Sequence, residues 1–151
     1  MSRKLFYFTA AATLLTFGAC AQKQSPASTS MADRGSVDRV YSGVFPAADA
    51  DGVRYTVLLD YDDDGNGGDY DMVETYFMTD STGVNDIASF ASEGDFTVGT
   101  SDSGQKYLKF DNDGAGQMFF VVDTDSTITL TDASLTPAAT PGMNYTLKAA
   151  K

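Results

Sequence analysis

The chain is predicted to be all-β, a meander of about eight short strands closing as a small up-and-down barrel. Three observations predict it. Apolar residues alternate with polar ones over short stretches from residue 38 onward, most cleanly at Val53, Tyr55, Val57, Leu59 and Tyr61. Turn chemistry rich in Gly, Asn and Asp separates these stretches at short intervals. Finally, no stretch carries a convincing amphipathic helix pattern, and sequential hairpins close best into a barrel because closure removes exposed strand edges.

In chain order, Arg39–Val44 reads as the first strand. It runs into Phe45-Pro46, where proline removes a backbone donor and holds the preceding residue extended. Ala47–Gly52 is a turn of small residues. The second strand follows from Val53. Tyr70–Met78 alternates less cleanly, because Tyr70, Met72, Tyr76 and Met78 share a face with Glu74. Either Glu74 enters a polar interior or a bulge shifts the register. Asn85–Ser92 is read as one short turn of helix. Phe96 and Val98 belong to a fourth strand, Thr-Ser-Asp-Ser-Gly makes a hairpin turn, and Leu108 and Phe110 lie on the next strand. Asn112-Asp113-Gly114 turns the chain. Met118–Val122, continuously apolar, is expected to be the most buried strand. Asp123–Ser126 turns, Ile128 and Leu130 alternate with threonines, Ala133–Gly142 is a proline-bearing loop, and Asn144–Lys148 closes the chain.

The amino terminus reads as a targeting segment over residues 1–19. Arg3-Lys4 is a basic start, Leu5–Phe17 is apolar, and the small residues Gly18-Ala19 precede Cys20, the one cysteine in the sequence. The apolar run falls short of the roughly 20 residues that span a bilayer. Gly-Ala-Cys resembles the lipobox of bacterial lipoproteins, although Phe17 stands where Leu is usual. The resemblance implies that Cys20 becomes the lipidated first residue. Residues 20–37 then form the lipidated end and a flexible Ser-, Ala- and Gln-rich tether, and 38–151 the barrel domain. Ala21, where enteric lipoproteins retained in the inner membrane carry Asp, implies an outer-membrane anchor facing the periplasm. No acidic cluster of the kind that directs surface export in Bacteroidota lipoproteins follows Cys20. Lipidation uses the only thiol, so a disulfide, a Cys nucleophile or a thiolate metal ligand is excluded from the mature chain.

The net charge is −11. Without residues 1–19, eight basic residues face 21 acidic ones, a balance of −13. Nucleic acid and anionic headgroups both demand a basic surface, so neither is an expected partner. The sequence has no His, and with Cys20 consumed the common nucleophile–base pairs are missing. Paired carboxylates remain for glycosidase-like chemistry, but the dense acid clusters sit on Gly-containing turns. The expectation is a non-enzyme.

Acids crowd residues 60–74: Asp60, Asp62, Asp63, Asp64, Asp69, Asp71 and Glu74. Within them, Asp-x-Asp-x-Asp-Gly continues to Asn66 at the seventh position and Asp71 at the twelfth. That spacing turns oxygen ligands inward around a tight loop and makes Asp60, Asp62, Asp64, Asn66 and Asp71 a candidate calcium set. It lacks the bidentate Glu and the helical flanks of an EF-hand. The alternative is a solvated hairpin tip whose Asp, Asn and Gly merely suit the turn. Asp111–Gly114 repeats the composition on a second hairpin and reads as a turn.

The segment Tyr41–Gly52, Tyr-Ser-Gly-Val-Phe-Pro-Ala-Ala-Asp-Ala-Asp-Gly, resembles the opening of the NlpE family of copper-resistance lipoproteins of the bacterial envelope. There it typically reads Tyr-x-Gly-x-Leu-Pro-Cys-Ala-Asp-Cys-x-Gly-Ile. The two cysteine positions are Ala47 and Ala50 here. The closing Tyr145-Thr-Leu147 resembles the family's Tyr-x-Leu ending, so the similarity covers about residues 40–149. It implies a lipocalin-like barrel and a module signalling envelope stress, including copper exposure and faulty lipoprotein trafficking, through a sensor kinase. Enteric members carry a second, C-terminal domain, for which this chain is too short. Copper prefers thiolate, thioether or imidazole ligands. Only Met72, Met78, Met118 and Met143 remain in the domain, where methionines ordinarily fill gaps, while Asp49 and Asp51 offer a weak oxygen site at most. Specific copper binding is therefore not expected. The other function class open to the sequence is a carrier holding a small apolar ligand, since an eight-stranded barrel either encloses one or is filled by its own side chains.

Overall fold

A computed structural model describes residues 37–112, 116–138 and 140–151 of the chain. The expected targeting segment, Cys20 and all of the expected tether but Val37 lie outside the described residues, as do Asp113 and Gly114. Eight antiparallel strands follow one another: β1 (Arg39–Phe45), β2 (Gly52–Tyr61), β3 (Gly67–Asp80), β4 (Gly83–Thr100), β5 (Lys106–Asn112), β6 (Gly116–Thr124), β7 (Thr127–Thr131) and β8 (Thr146–Ala149). Each pairs with the next, and β8 returns to β1 to close the barrel. The predicted up-and-down barrel is the observed one.

Alternation puts one face of every strand on the axis. Tyr41, Phe45, Val57, Leu59, Tyr70, Met72, Phe96, Leu108, Phe110, Phe120, Ile128 and Leu147 form a single buried cluster. Aromatic rings organise its centre. Phe110 stacks on Tyr70 (4.6 Å between centroids, 14° between planes). It also meets Phe96 edge-on at 6.0 Å and Phe120 at 5.2 Å. Such offset and edge contacts add to the area each ring buries.

Two expectations need correction. Asn85–Ser92 is not helical; it is the first half of β4, paired with β3 from Asp80↔Gly83 through Met72↔Ser92. A long two-stranded ribbon supplies the backbone partners that the local sequence leaves unspecified. Nor is Met118–Val122 the most buried strand. In β6 only Phe120 and Val121 are buried, whereas β2 buries Gly52, Val53, Val57, Leu58 and Leu59. In a one-layer barrel a continuous apolar run must send alternate residues outward, and Phe119 lies outside against the Tyr107 ring at 6.3 Å.

The question raised by Glu74 resolves both ways. The β3–β4 register shifts between Tyr76 and Phe77, where Ile87 is the extra residue of a bulge. That shift comes after Glu74, which stays on the inner face with Tyr70 and Met72.

β3 and β4 outrun the barrel. β5 pairs with β4 only from Asp95↔Asp111 to Thr100↔Lys106, so Gly83–Gly94 has β3 as its sole strand neighbour among the described residues. The parting point is Gly94. A Cβ there would stand 2.4 Å from the Asp111 carbonyl oxygen and 3.1 Å from the Tyr70 ring, so only glycine lets β4 pass. The hairpin closes at Ser81-Thr82, where the Asp80 carboxylate accepts from the Thr82 backbone N–H (2.7 Å) and hydroxyl (2.6 Å).

Candidate functional site

The β1–β2 loop carries the positions singled out by the family resemblance. Ala47 and Ala50 are partly buried and Asp49 and Asp51 exposed. Asp51 has a structural task. Its backbone N–H donates to the Phe77 carbonyl (3.0 Å) and its carboxylate accepts from the Thr79 N–H (2.6 Å), pinning the loop to the projecting part of β3.

The candidate calcium residues fall on two kinds of ground. Asp60 lies on β2 opposite Asp69, and Asp71 lies on β3 opposite Leu58. Since Leu59 and Tyr70 between them point into the core, Asp60 and Asp71 belong to the outer face. Asp62, Asp64 and Asn66 are exposed in the connecting turn. That turn is held by Asp62 N–H to the Gly67 carbonyl and Gly65 N–H to the Asp62 carbonyl, each at 2.9 Å. The Asp64 carboxylate accepts from the Asn66 N–H at 2.9 Å, a bond that lowers its pKa below the usual carboxylate value. Gly68 sits at φ 152°, and a Cβ there would overlap the Asp60 carbonyl oxygen, so close approach of the strands leaving the turn requires glycine. Among the described residues, no three His, Cys, Asp or Glu side chains converge at metal-holding distance.

Register reveals an arrangement that sequence reasoning missed. Asp60 faces Asp69, Asp69 faces Asp95, and Asp95 faces Asp111, so four aspartates stand side by side across β2, β3, β4 and β5 on the outer wall. In the adjoining row Asp71 faces Glu93. Like charges directly opposite one another destabilise a sheet. Lys109 relieves the end of the row with a 3.1 Å ion pair to Asp111, which also accepts from the Gln117 amide at 2.8 Å. Beside the row, Asp62, Asp64, Asn66, Asp69, Asp95 and Thr97 border an open depression of about 470 Å³. Only the strand pairing, which one sequence does not display, could have exposed this row.

The two ends of the barrel differ. At the end where the chain enters, Arg39, Tyr41, Tyr61, Leu108, Val122 and Asp125 surround an open mouth of about 450 Å³. Arg39 donates to the Asp125 carbonyl (2.7 Å) and to the Tyr41 hydroxyl (3.3 Å), and the latter bond chiefly raises the guanidinium pKa. Burial raises the pKa of Tyr61. At the opposite end, Phe45 packs on Tyr55 (4.4 Å) and Tyr145 (5.7 Å). Burial again dominates the raised pKa of Tyr55, and the facing Glu74 carboxylate adds to it. Where β4 leaves β5, Met72, Glu74, Phe90 and Met118 line a groove of about 330 Å³. Of the four methionines, Met72 is buried, Met118 partly buried beside it, and Met78 and Met143 are half exposed.

Among the described residues, the projecting ribbon carries most of the large exposed apolar side chains: Met78, Val84, Ile87 and Phe90, the last 60% exposed. On its outer face Arg54 pairs with Asp86 (3.5 Å) and lies over the Phe77 ring (5.4 Å). The only hint of this surface in the sequence is the isolation of Ile87 and Phe90 among small and polar neighbours.

Among known families, the NlpE N-terminal domain matches residues 41–141. No curated protein and no solved structure matches the chain.

Proposed function

Because the chain belongs to the NlpE N-terminal domain family, whose members are envelope-lipoprotein-type modules, we propose that it is anchored by lipid at Cys20 and acts by contacting other envelope proteins, without catalysis. Cys20 would hold it at the outer membrane facing the periplasm, and envelope-stress sensing is the role its relatives suggest. One observation carries the choice of protein contact over ligand carriage. Tyr41, Tyr70, Phe96, Phe110 and Phe120, each 2% exposed or less, occupy the axis where a carrier would hold its cargo. No imidazole occurs anywhere in the sequence, and the row of four aspartates stands on the outer wall.

Titration with Nile red and with a fluorescent fatty acid tests the reading. The expected result is no saturable uptake; one-to-one binding quenched by Leu108→Trp would make the domain a carrier. Anchoring is tested separately by intact mass of protein from the membrane fraction. A diacylated or triacylated species beginning at Cys20 is expected, and Cys20→Ser protein should leave that fraction. Retention of Cys20→Ser protein at the wild-type level would remove the anchor from the proposal.

A further inference from the structure

We infer that the groove where β4 leaves β5 binds a small arylalkylamine, its ammonium on Glu74 and its ring against Met72, Phe90 and Met118. The inference goes beyond the protein-contact reading. It concerns a lateral groove outside the filled axis and stands or falls separately.

Glu74 is the anomaly that carries it. The residue stands on the inner face of β3, directly between Tyr55 on β2 and Phe90 on β4, with Met72 and Tyr76 two positions away on the same face. It is partly buried. A carboxylate among apolar side chains is costly unless something compensates its charge. Its partner is the Tyr55 hydroxyl, which supplies a hydrogen bond and no positive charge. Among the described residues, no Lys or Arg lines the groove that Glu74 borders. Arg54 and Lys109 stand on the outer face in ion pairs with Asp86 and Asp111, and Arg39 and Lys106 line the mouth at the other end. A cation is what the position lacks.

The walls specify the kind of cation. At about 330 Å³ the groove lies at the small end of ligand pockets. Met72 is buried and Met118 partly buried, and thioether sulfurs pack favourably at the edge of an aromatic ring. Phe90, exposed beside them, offers its own ring to an aromatic body or to the ammonium. Ser92 and Asn112 complete the lining with a hydroxyl and an amide. A primary ammonium carries three donors, so Glu74 takes one and these oxygens take others. A lysine of a partner protein has the same ammonium but brings no ring to the thioethers, and the free amine fits better.

The probe is phenethylamine, titrated by calorimetry into the full chain in mild detergent, with methionine-methyl NMR to report the place. Comparison ligands are phenylacetate, ethylamine and N-acetyl-lysinamide. The expected result is saturable one-to-one binding of phenethylamine and weaker binding of all three others. The methyl signals of Met72 and Met118 should shift, while those of Met78 and Met143, which do not line the groove, stay in place. Glu74→Gln keeps the side-chain shape and an acceptor for Tyr55, and should weaken binding at least about tenfold, the loss of a charge-assisted bond. Phe90→Ser, at an exposed position, should weaken it about threefold. Unchanged melting temperatures check that both variants fold, and should Glu74→Gln unfold, Phe90→Ser and the methyl shifts decide. No saturable binding, unaltered affinity in the variants, equal binding of phenylacetate or shifts at all four methyls would overturn the inference. Ethylamine binding as tightly would remove the ring from it, and tighter N-acetyl-lysinamide would give the groove to a protein side chain instead. Nile red reads the barrel axis, so failure here leaves the non-carrier reading standing.

Discussion

β3 and β4 each live in two environments. From Gly67 to Met72 on β3, and from Asp95 to Thr97 on β4, they are walls of a closed barrel, with Tyr70, Met72 and Phe96 almost wholly buried. From Met78 to Phe90 the same two strands form a ribbon with no third strand on the β4 side among the described residues. There Met78, Val84, Ile87 and Phe90 stand 47% exposed or more. Backbone pairing between the strands is continuous through both regions. The difference is the missing neighbour, so burial here is a property of closure, and strand formation alone does not confer it.

The sharpest way to break the comparison is to truncate one aromatic in each region. Phe110→Ala removes a ring in contact with Tyr70, Phe96 and Phe120. It should cost about 3–5 kcal/mol in denaturant unfolding. Phe90→Ala should stay within about 0.5 kcal/mol of wild type, as surface changes do. Similar losses at the two sites would mean that the ribbon is packed after all.

Next in size is the boundary itself. Gly94→Ala forces a Cβ against the Asp111 carbonyl and should destabilise by about 1–3 kcal/mol, as overpacking typically does. Exchange at β5 amides should rise with it.

Alkaline titration sharpens the contrast between interior and surface phenols. Tyr55 and Tyr61 both hold their protons above the ordinary tyrosine value because burial disfavours the phenolate. A folded pKa raised above the unfolded one gives stability that is complete below about pH 10 and is lost as pH climbs through the folded value. Unfolding free energy should therefore decline above that point, and Tyr55→Phe with Tyr61→Phe should flatten the decline. Absorbance at the phenolate band should show these two titrating late in the wild-type protein.

The smallest effect concerns the acidic wall. Asp69→Asn with Asp95→Asn relieves repulsion between directly opposed carboxylates and should stabilise the barrel by a few tenths of a kcal/mol, about the scale of cross-strand pairs. Calcium, magnesium and added sodium chloride should raise the melting temperature of the wild type about equally at matched ionic strength. A calcium-selective rise abolished by Asp62→Asn with Asp64→Asn would instead reveal a site at the Asp60–Asp71 loop, with affinity on the order of 10⁻⁴–10⁻³ M as in extracellular modules.

What the sequence disclosed follows the same division. Val53–Tyr61 could be read as a strand because its inner residues meet a closed core, and a one-sided environment writes a period of two. Asn85–Ser92 could not. A ribbon wet on both faces imposes no alternation, and scattered Ala, Ser and Asp suit a helix turn equally well. Met118–Val122 misled for a third reason: its outward Phe119 is sheltered by Tyr107, so the strand looks buried on both sides without being so. The aspartate row was hidden because it depends on which residues stand opposite one another, a consequence of turn lengths accumulated over four strands. The pairing of Tyr55 with Glu74 was half legible, since alternation left the carboxylate either inside or displaced by a bulge and could not name the phenol facing it.

The seam between β1 and β8 differs from the other seven in one respect. It joins residues more than a hundred positions apart, Tyr41 with Ala149 and Ser42 with Lys148, through only two registered pairs. Each remaining seam links strands adjacent in the chain, at a loop-closure cost far below that of β1–β8 even for β7–β8, whose connection of residues 132–145 is the longest. Folding can therefore zip outward from the long β3–β4 hairpin, and the β1–β8 closure becomes the step that commits the chain to its native ring. Transition-state interactions should accordingly be strong around Tyr70 and weak around Leu147, so that lesions in β8 hasten unfolding while leaving the folding rate nearly untouched.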